Sequence, residues 1–139
     1  MIRIFSKFIL FFFLLTNMSS ADLFKPNTTL KPIDVLTIQL NSLKNNNIPY
    51  KDAGIEQTWE FAHPKNKKVT GPLEKFKKMI YSENYKLLIG HENYEIIVLN
   101  ESKNMFVYKV YILSKNKKNI IIYGKLKKLL KMEVLKIAG

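Results

Sequence analysis

Two histidines, His63 and His91, and two glutamates, Glu56 and Glu60, are the residues of this 139-residue chain whose types and spacing could move a proton. Glu56 and Glu60 stand one helical turn apart, so a helix would aim both the same way, although such pairs are ordinarily solvated. His63 lies in "WEFAHPKNKKVTGPLEKF", from Trp59 to Phe76, beside Pro64 and close to Lys65, Lys67 and Lys68. As a base it would need a pocket and a carboxylate within reach, Glu60 or Glu92. As a corner residue it needs only a backbone partner, and that is the simpler role. The chain has no cysteine and no H-x-x-H-like spacing, which argues against an ordinary zinc site. It also lacks a phosphate-cradling glycine loop and a serine-nucleophile motif. The sequence therefore assigns no catalytic residue, no metal ligand and no cofactor.

Binding is the other chemistry these residues could do. Gln39, Trp59, His63, Tyr94 and Tyr108 are the candidates for a ligand pocket. A lone tryptophan on an apolar helical stripe is more often core than ligand contact. A tyrosine-rich face of a curved sheet, with Tyr94, Phe106, Tyr108 and Tyr111, is where a small apolar ligand would sit. Gln39 adjoins an apolar stripe, so its amide must meet a partner or stay at the edge of the core.

The elements that would carry these residues follow from periodicity. Ile33, Leu36, Leu40 and Leu43 share one face of a helix opening at Pro32 and ending at Asn45–Asn47 before Pro49. A second helix is expected from Asp52 as cap, with Ile55, Trp59 and Ala62 on one face, until Pro64 forbids the helical conformation at His63. The lysine-bearing span Pro64 to Thr70 reads as a loop, longer than the turn of a DNA-reading helix-turn-helix. A third helix is expected from "TGPLEKF", Gly71 capping, Pro72 in the first helical position, and Leu73, Phe76 and Ile80 buried. Pro64, Gly71 and Pro72 thus define a structural corner.

After Asn84 the period changes to two. "YEIIVLN" puts Tyr94, Ile96 and Val98 on one side, and "MFVYKVYIL" puts Phe106, Tyr108, Val110 and Ile112 on one side. The polar link Asn100–Asn104 suits an antiparallel hairpin. "KLLIG" (Lys86–Gly90) reads as a short preceding strand and "NIIIYG" from Asn119 as a following one. Helices before antiparallel strands predict an α+β fold, with three N-terminal helices packed on a curved antiparallel sheet.

The formal charge of +12 invites a nucleic-acid or anionic-membrane reading, but its distribution argues otherwise. Eight lysines between Lys115 and Lys136 face Glu133 alone, and residues 22–114 carry only +3. No arginine follows Arg3, which removes the side chain best suited to bidentate recognition. No nucleic-acid partner is expected. The start, with Arg3, Lys7, the apolar run "FILFFFLL" and small residues up to Ala21, reads as a secretory signal cleaved after Ala21. The apolar run is too short for a membrane span, so no stable membrane anchor is expected after cleavage. The expected organisation is a signal peptide over 1–21, a polar lead over 22–31, one α+β domain over 32–125 and an aberrant basic tail over 126–139. The product would be exported, periplasmic or secreted.

"WEFAHPKN", then "VTGPLEKFKKMI" and Tyr85, resembles a family of exported and organellar proteins known as domain of unknown function 4864. Gln39 matches that family's glutamine on the first helix, while His63 stands where the family has serine. The resemblance covers residues 33–113 and implies a nuclear-transport-factor-2-like, or cystatin-like, α+β cone, often with a pocket between helices and sheet. The family has no assigned activity, so no catalytic residue is carried over. Its members end on Tyr-Leu-Trp-Lys-Val and Lys-Asp-Cys-Trp strands, which "IIIYGKLKKLLKMEVLKIAG" does not contain. Permitted AT-rich codons read two bases out of phase restore both, so the resemblance implies a frame shift near Lys118–Ile121. The alternative is a basic helix over Leu126–Ile137.

The reading that follows is a non-enzymatic binding module for a small apolar ligand or a protein partner. The alternatives are an enzyme using a cone pocket with His63 and a glutamate, and a homodimer formed through the sheet. An intact-mass measurement on the protein recovered from its cell envelope tests both terminal expectations. A species starting at Asp22, with a tail mass departing from that of the sequence as written, is expected. A start at Met1 removes the leader, and an unaltered tail mass removes the frame shift.

Overall fold

The computed structural model describes residues 22–102, 105–116, 118–127 and 131–138, so the leader expected over 1–21 lies outside the described residues. Helices come first: α1 (Pro32–Lys44), α2 (Ala53–Glu60), α3 (Pro64–Thr70), α4 (Leu73–Ile80) and a single 3₁₀ turn (Lys86–Leu88). Strands follow: β1 (Asn93–Ser102), β2 (Met105–Leu113), β3 (Asn119–Lys127) and β4 (Lys131–Ala138), in one antiparallel sheet of order β1-β2-β3-β4. The fold is α+β. The pairing skips Leu99 of β1, between Val98 and Asn100, and Leu135 of β4, opposite Tyr123 and Gly124 of β3. Such bulges bend and twist the strands that contain them.

Four expectations need correction. Pro64 does more than end α2: its fixed φ suits a first turn, and His63 accepts a 2.7 Å hydrogen bond from the Lys65 N–H. The expected loop Pro64–Thr70 is therefore the helix α3, and there are four helices among the described residues rather than three. Gly71 closes α3, and Pro72 is the N-cap of α4 rather than its first residue. "KLLIG" forms the 3₁₀ turn and not a strand. Lys131–Ala138 pairs with β3, which replaces the basic helix with a strand. Asp52 does stand at the α2 N-cap, but in the left-handed region (φ 67°) and without a side-chain cap bond.

One core joins the layers. Leu36, Leu40 and Leu43 of α1, Ile55 of α2, and Phe76 and Ile80 of α4 pack with Tyr108, Val110 and Ile112 of β2 and Ile120 and Ile122 of β3. The apolar stripe of α1 and the inward side of β2 are the two surfaces the sequence marks for burial, and each covers the other. Trp59 packs partly buried against this core, its ring 5.0 Å from that of Phe76.

The helices are joined at Asn46, which is 3% exposed. Its carbonyl accepts from the Gly54 N–H at 2.9 Å and its Oδ1 from the Ile55 N–H at 2.9 Å. These bonds satisfy two donors at the start of α2 that have no partner within the helix. The Asn46 Nδ2 donates to Asp52 Oδ1 and to the Tyr81 hydroxyl, and that hydroxyl donates to Asp52. Lys77 sits beside this knot, 2.9 Å from Glu56 and 4.0 Å from Asp52. At Gly54 the helices approach so closely that a Cβ would lie 1.9 Å from the Ser42 carbonyl oxygen. Only glycine fits there.

His91, 2% exposed, closes the turn before β1 with Nδ1 2.7 Å from the Leu88 carbonyl oxygen. The carbonyl can only accept, so Nδ1 carries the proton and Nε2 is a buried acceptor with no partner. Burial lowers the His91 pKa below the ordinary 6.5; the bond to Leu88 opposes this, and the positive charge of Lys44 adds to it. A folded-state pKa below that of the unfolded chain means that the unfolded chain takes up the proton first as pH falls. The protein is therefore expected to lose stability as pH drops below about 6.5. His91→Asn keeps an N–H donor for Leu88 without the titration. Urea unfolding at pH 7.5 and 5.5 is expected to show a smaller acid loss in that variant, and an equal loss would clear His91.

Candidate functional site

Between helices and sheet lies a cavity of about 210 Å³. Leu36, Leu40 and Leu43 of α1, Phe76 and Ile80 of α4, and Val110 and Ile122 of the sheet make its apolar wall. Ala62, Asn66, Thr70, Met79 and Tyr85, all half-buried, form the less covered side. α3 thus lends two polar residues to the rim, although none of its own side chains is buried.

The polar groups of the cavity divide by whether they already have partners. The Thr58 hydroxyl donates to the Gly54 carbonyl at 2.8 Å, and the Thr70 hydroxyl to the Asn66 carbonyl at 2.7 Å. These are bonds back along each residue's own helix. Gln39, 2% exposed, donates from Nε2 to the Thr58 carbonyl oxygen at 3.3 Å. Because a carbonyl cannot donate, this bond fixes which end of the amide faces α2. The Oε1 end is left with no partner. Tyr108, wholly buried, likewise carries a hydroxyl with no partner. Burial pushes its pKa upward from the ordinary tyrosine value, so it stays protonated and neutral. Both residues line the cavity. Leaving such atoms unsatisfied costs about 1–3 kcal/mol each.

Of the five pocket candidates, the cavity brings together Gln39 and Tyr108 and leaves out the other three. Trp59 is not among the lining residues; its ring is tilted against that of Phe76, with Lys67 Nζ 5.5 Å from its ring centre. A Cβ at Gly71 would lie 3.0 Å from the tryptophan ring and 2.4 Å from the Lys67 carbonyl oxygen, so the corner Pro64, Gly71 and Pro72 serves tight packing. His63 is the cap of α3. Tyr94 donates to Asn41 Oδ1 at 3.0 Å and tethers β1 to α1.

Among the described residues no Asp, Glu, His, Lys or Arg lines the cavity. Glu60 pairs with Lys25 at 3.3 Å, and Glu56 receives the Tyr50 hydroxyl at 2.8 Å and Lys77 at 2.9 Å. The two glutamates of the helical pair thus serve separate structural partners. Among the described residues no group of three potential metal ligands occurs, and no helix is long and apolar enough to cross a membrane.

Sequence reasoning missed Asn46, Asp52, Lys77 and Tyr81 as a connected group, and Thr58 as the residue that orients Gln39. It also missed the role of the lead: the Gln57 amide both donates to and accepts from the Phe24 backbone at 2.8 Å, while the Phe24 ring stacks on Phe61 at 5.9 Å. Compared with family models, with curated proteins and with solved structures, the chain matches none.

Tyr108→Phe removes a hydroxyl that has no bond to lose. The variant is expected to raise the stability of the free protein by about 1 kcal/mol. Urea unfolding midpoints check it, and a lower midpoint would show that the hydroxyl is bonded in the free protein.

Proposed function

We propose that the protein is an exported binding module whose helix–sheet cavity holds a small, mostly apolar molecule. The observation that carries this reading is the coincidence of an apolar cavity with two buried, unpartnered polar atoms, Gln39 Oε1 and the Tyr108 hydroxyl. A pocket of apolar walls with a few placed polar groups is the general form of a small-molecule site. Export rests on the leader over 1–21, and the nuclear-transport-factor-2-like cone rests on the resemblance to domain of unknown function 4864. The order of helices before antiparallel strands supports that cone. The frame shift near Lys118–Ile121 belongs to the same proposal, as does the absence of nucleic acid among the partners.

The enzyme alternative is the weaker one, because His63 does not line the cavity and its Nδ1 is taken up as the cap of α3. Pairing through the sheet remains open to a homodimer, and the half-exposed outer side of β2, where Lys109 Nζ lies 4.6 Å from the Tyr111 ring centre, is the surface it would use.

Amide-resolved NMR titration with a panel of small neutral aromatic and aliphatic compounds tests the reading. Shifts are expected at Gln39, Phe76, Tyr108 and Val110, and they should vanish in Ala62→Leu, which places a larger side chain at the rim. A spectrum unmoved by every compound overturns the assignment.

A further inference from the structure

We infer that the molecule this cavity takes is a neutral hydroxyl compound, an alcohol or a phenol, and not a carboxylate or an ammonium ion. The inference rests on the binding reading above and narrows it. Three features of the site carry it.

The first is polarity. Gln39 gives one of its two Nε2 hydrogens to the Thr58 carbonyl, at 3.3 Å, and its Oε1 is buried and unpartnered, so the atom of this amide left wholly unanswered is an acceptor. An acceptor is answered by a donor. The Tyr108 hydroxyl can rotate either to donate or to accept, and it too is unpartnered. A ligand hydroxyl suits this pair, because it donates to Gln39 Oε1 while its own oxygen can accept from the Tyr108 hydroxyl.

The second is charge. A carboxylate has no donor for Gln39 Oε1 and would place its lone pairs against that oxygen. It would also enter a space lined, among the described residues, by no cationic side chain, and burying an unpaired carboxylate is costly enough that the group neutralises or stays in water. An ammonium ligand meets the mirror problem, since among the described residues no carboxylate lines the cavity to neutralise it. Thr58 and Thr70 cannot help a carboxylate, because their hydroxyl hydrogens are already given to Gly54 and Asn66.

The third is size. A cavity of about 150 Å³ lined by aliphatic and aromatic side chains holds benzene. At about 210 Å³ there is room for one such ring with a small substituent, or for a short aliphatic alcohol.

Three probes of similar size separate the possibilities: p-cresol, its methyl isostere p-xylene, and benzoate. Affinities for the purified full chain are read by NMR titration. p-Cresol is expected to bind about tenfold more tightly than p-xylene, the gain of two modest hydrogen bonds. Tyr108→Phe should lower that ratio, and Gln39→Leu should bring it near one, with p-xylene still binding in both variants. Because Tyr108→Phe preserves the ring, its result stands even if Gln39→Leu disturbs α1. Equal affinity for p-cresol and p-xylene would mean that water, not a ligand hydroxyl, answers the two polar atoms, and it overturns the inference while leaving an apolar-ligand module intact. Benzoate binding more tightly than p-cresol overturns it in the same way. If no probe binds, the binding reading itself fails and takes this inference with it.

Discussion

The close antiparallel contact between α1 and α2 places the helical half of the site, and it depends on two small facts of chemistry at Asn46 and Gly54. The first residues of α2 begin with backbone donors that the helix cannot satisfy, and Asn46 takes two of them. Gly54 lets the backbones meet where any side chain would strike the Ser42 carbonyl. Once that joint is closed, the register along the pair is determined: going back two turns of α1 from Asn46 reaches Gln39, and going forward one turn of α2 from Gly54 reaches Thr58. Their hydrogen bond is a consequence of the joint, and so is the direction in which Gln39 presents its oxygen.

The sheet supplies the other half by a different route. The alternation of β2 sends Tyr108, Val110 and Ile112 to the helix side and leaves Val107, Lys109 and Tyr111 on the other. On the outer side the Lys109 amine lies over the Tyr111 and Tyr123 rings, where the electron-rich ring faces attract its charge. On the inner side a tyrosine occupies a place where phenylalanine would pack as well and cost less, since its hydroxyl finds no partner. Gln39 has the same character within the α1 stripe. A fold that retains two such costs in one cavity departs from what stability alone would select, and departures of that kind are typical of sites.

Much of this was legible in the chain itself. The 3.6-residue stripe of α1, the change of period after Asn84 and the inward set of β2 all follow from patterning, because burial of one face is what patterning records. Gln39 is visible as a polar residue beside the apolar stripe of α1, whereas Tyr108 is one of several aromatics on the sheet face. The misses have physical reasons too. Pro64 was read as a breaker because the residue before a proline avoids the helical region, yet the same proline is suited to begin a helix, and His63 completes that start. The three asparagines at Asn45–Asn47 look alike, and nothing local shows that the middle one would be buried among Gly54, Ile55, Asp52 and Tyr81. The stretch Leu126–Ile137, with four lysines and a helical spacing of apolar residues, reads as a helix; the pairing of β4 with β3 overrides that local preference, as sheet partners often do.

The contrast among the five pocket candidates shows where sequence reasoning of this kind stops. His63 and Tyr94 find partners through geometry that any helix start or strand end provides: a backbone N–H two residues on, and an exposed asparagine on the neighbouring helix. Trp59 is met by an aromatic ring and a lysine amine. Gln39 Oε1 and the Tyr108 hydroxyl differ because the cavity around them is largely apolar, and among the described residues no partner reaches either. Residue type cannot reveal that distinction, since a tyrosine on β1 and a tyrosine on β2 look equivalent in the pattern. It is decided by which neighbours the packing brings within about 3 Å, and for Tyr108 the packing brings Leu40, Phe76 and Val110 to the same cavity wall and no acceptor or donor.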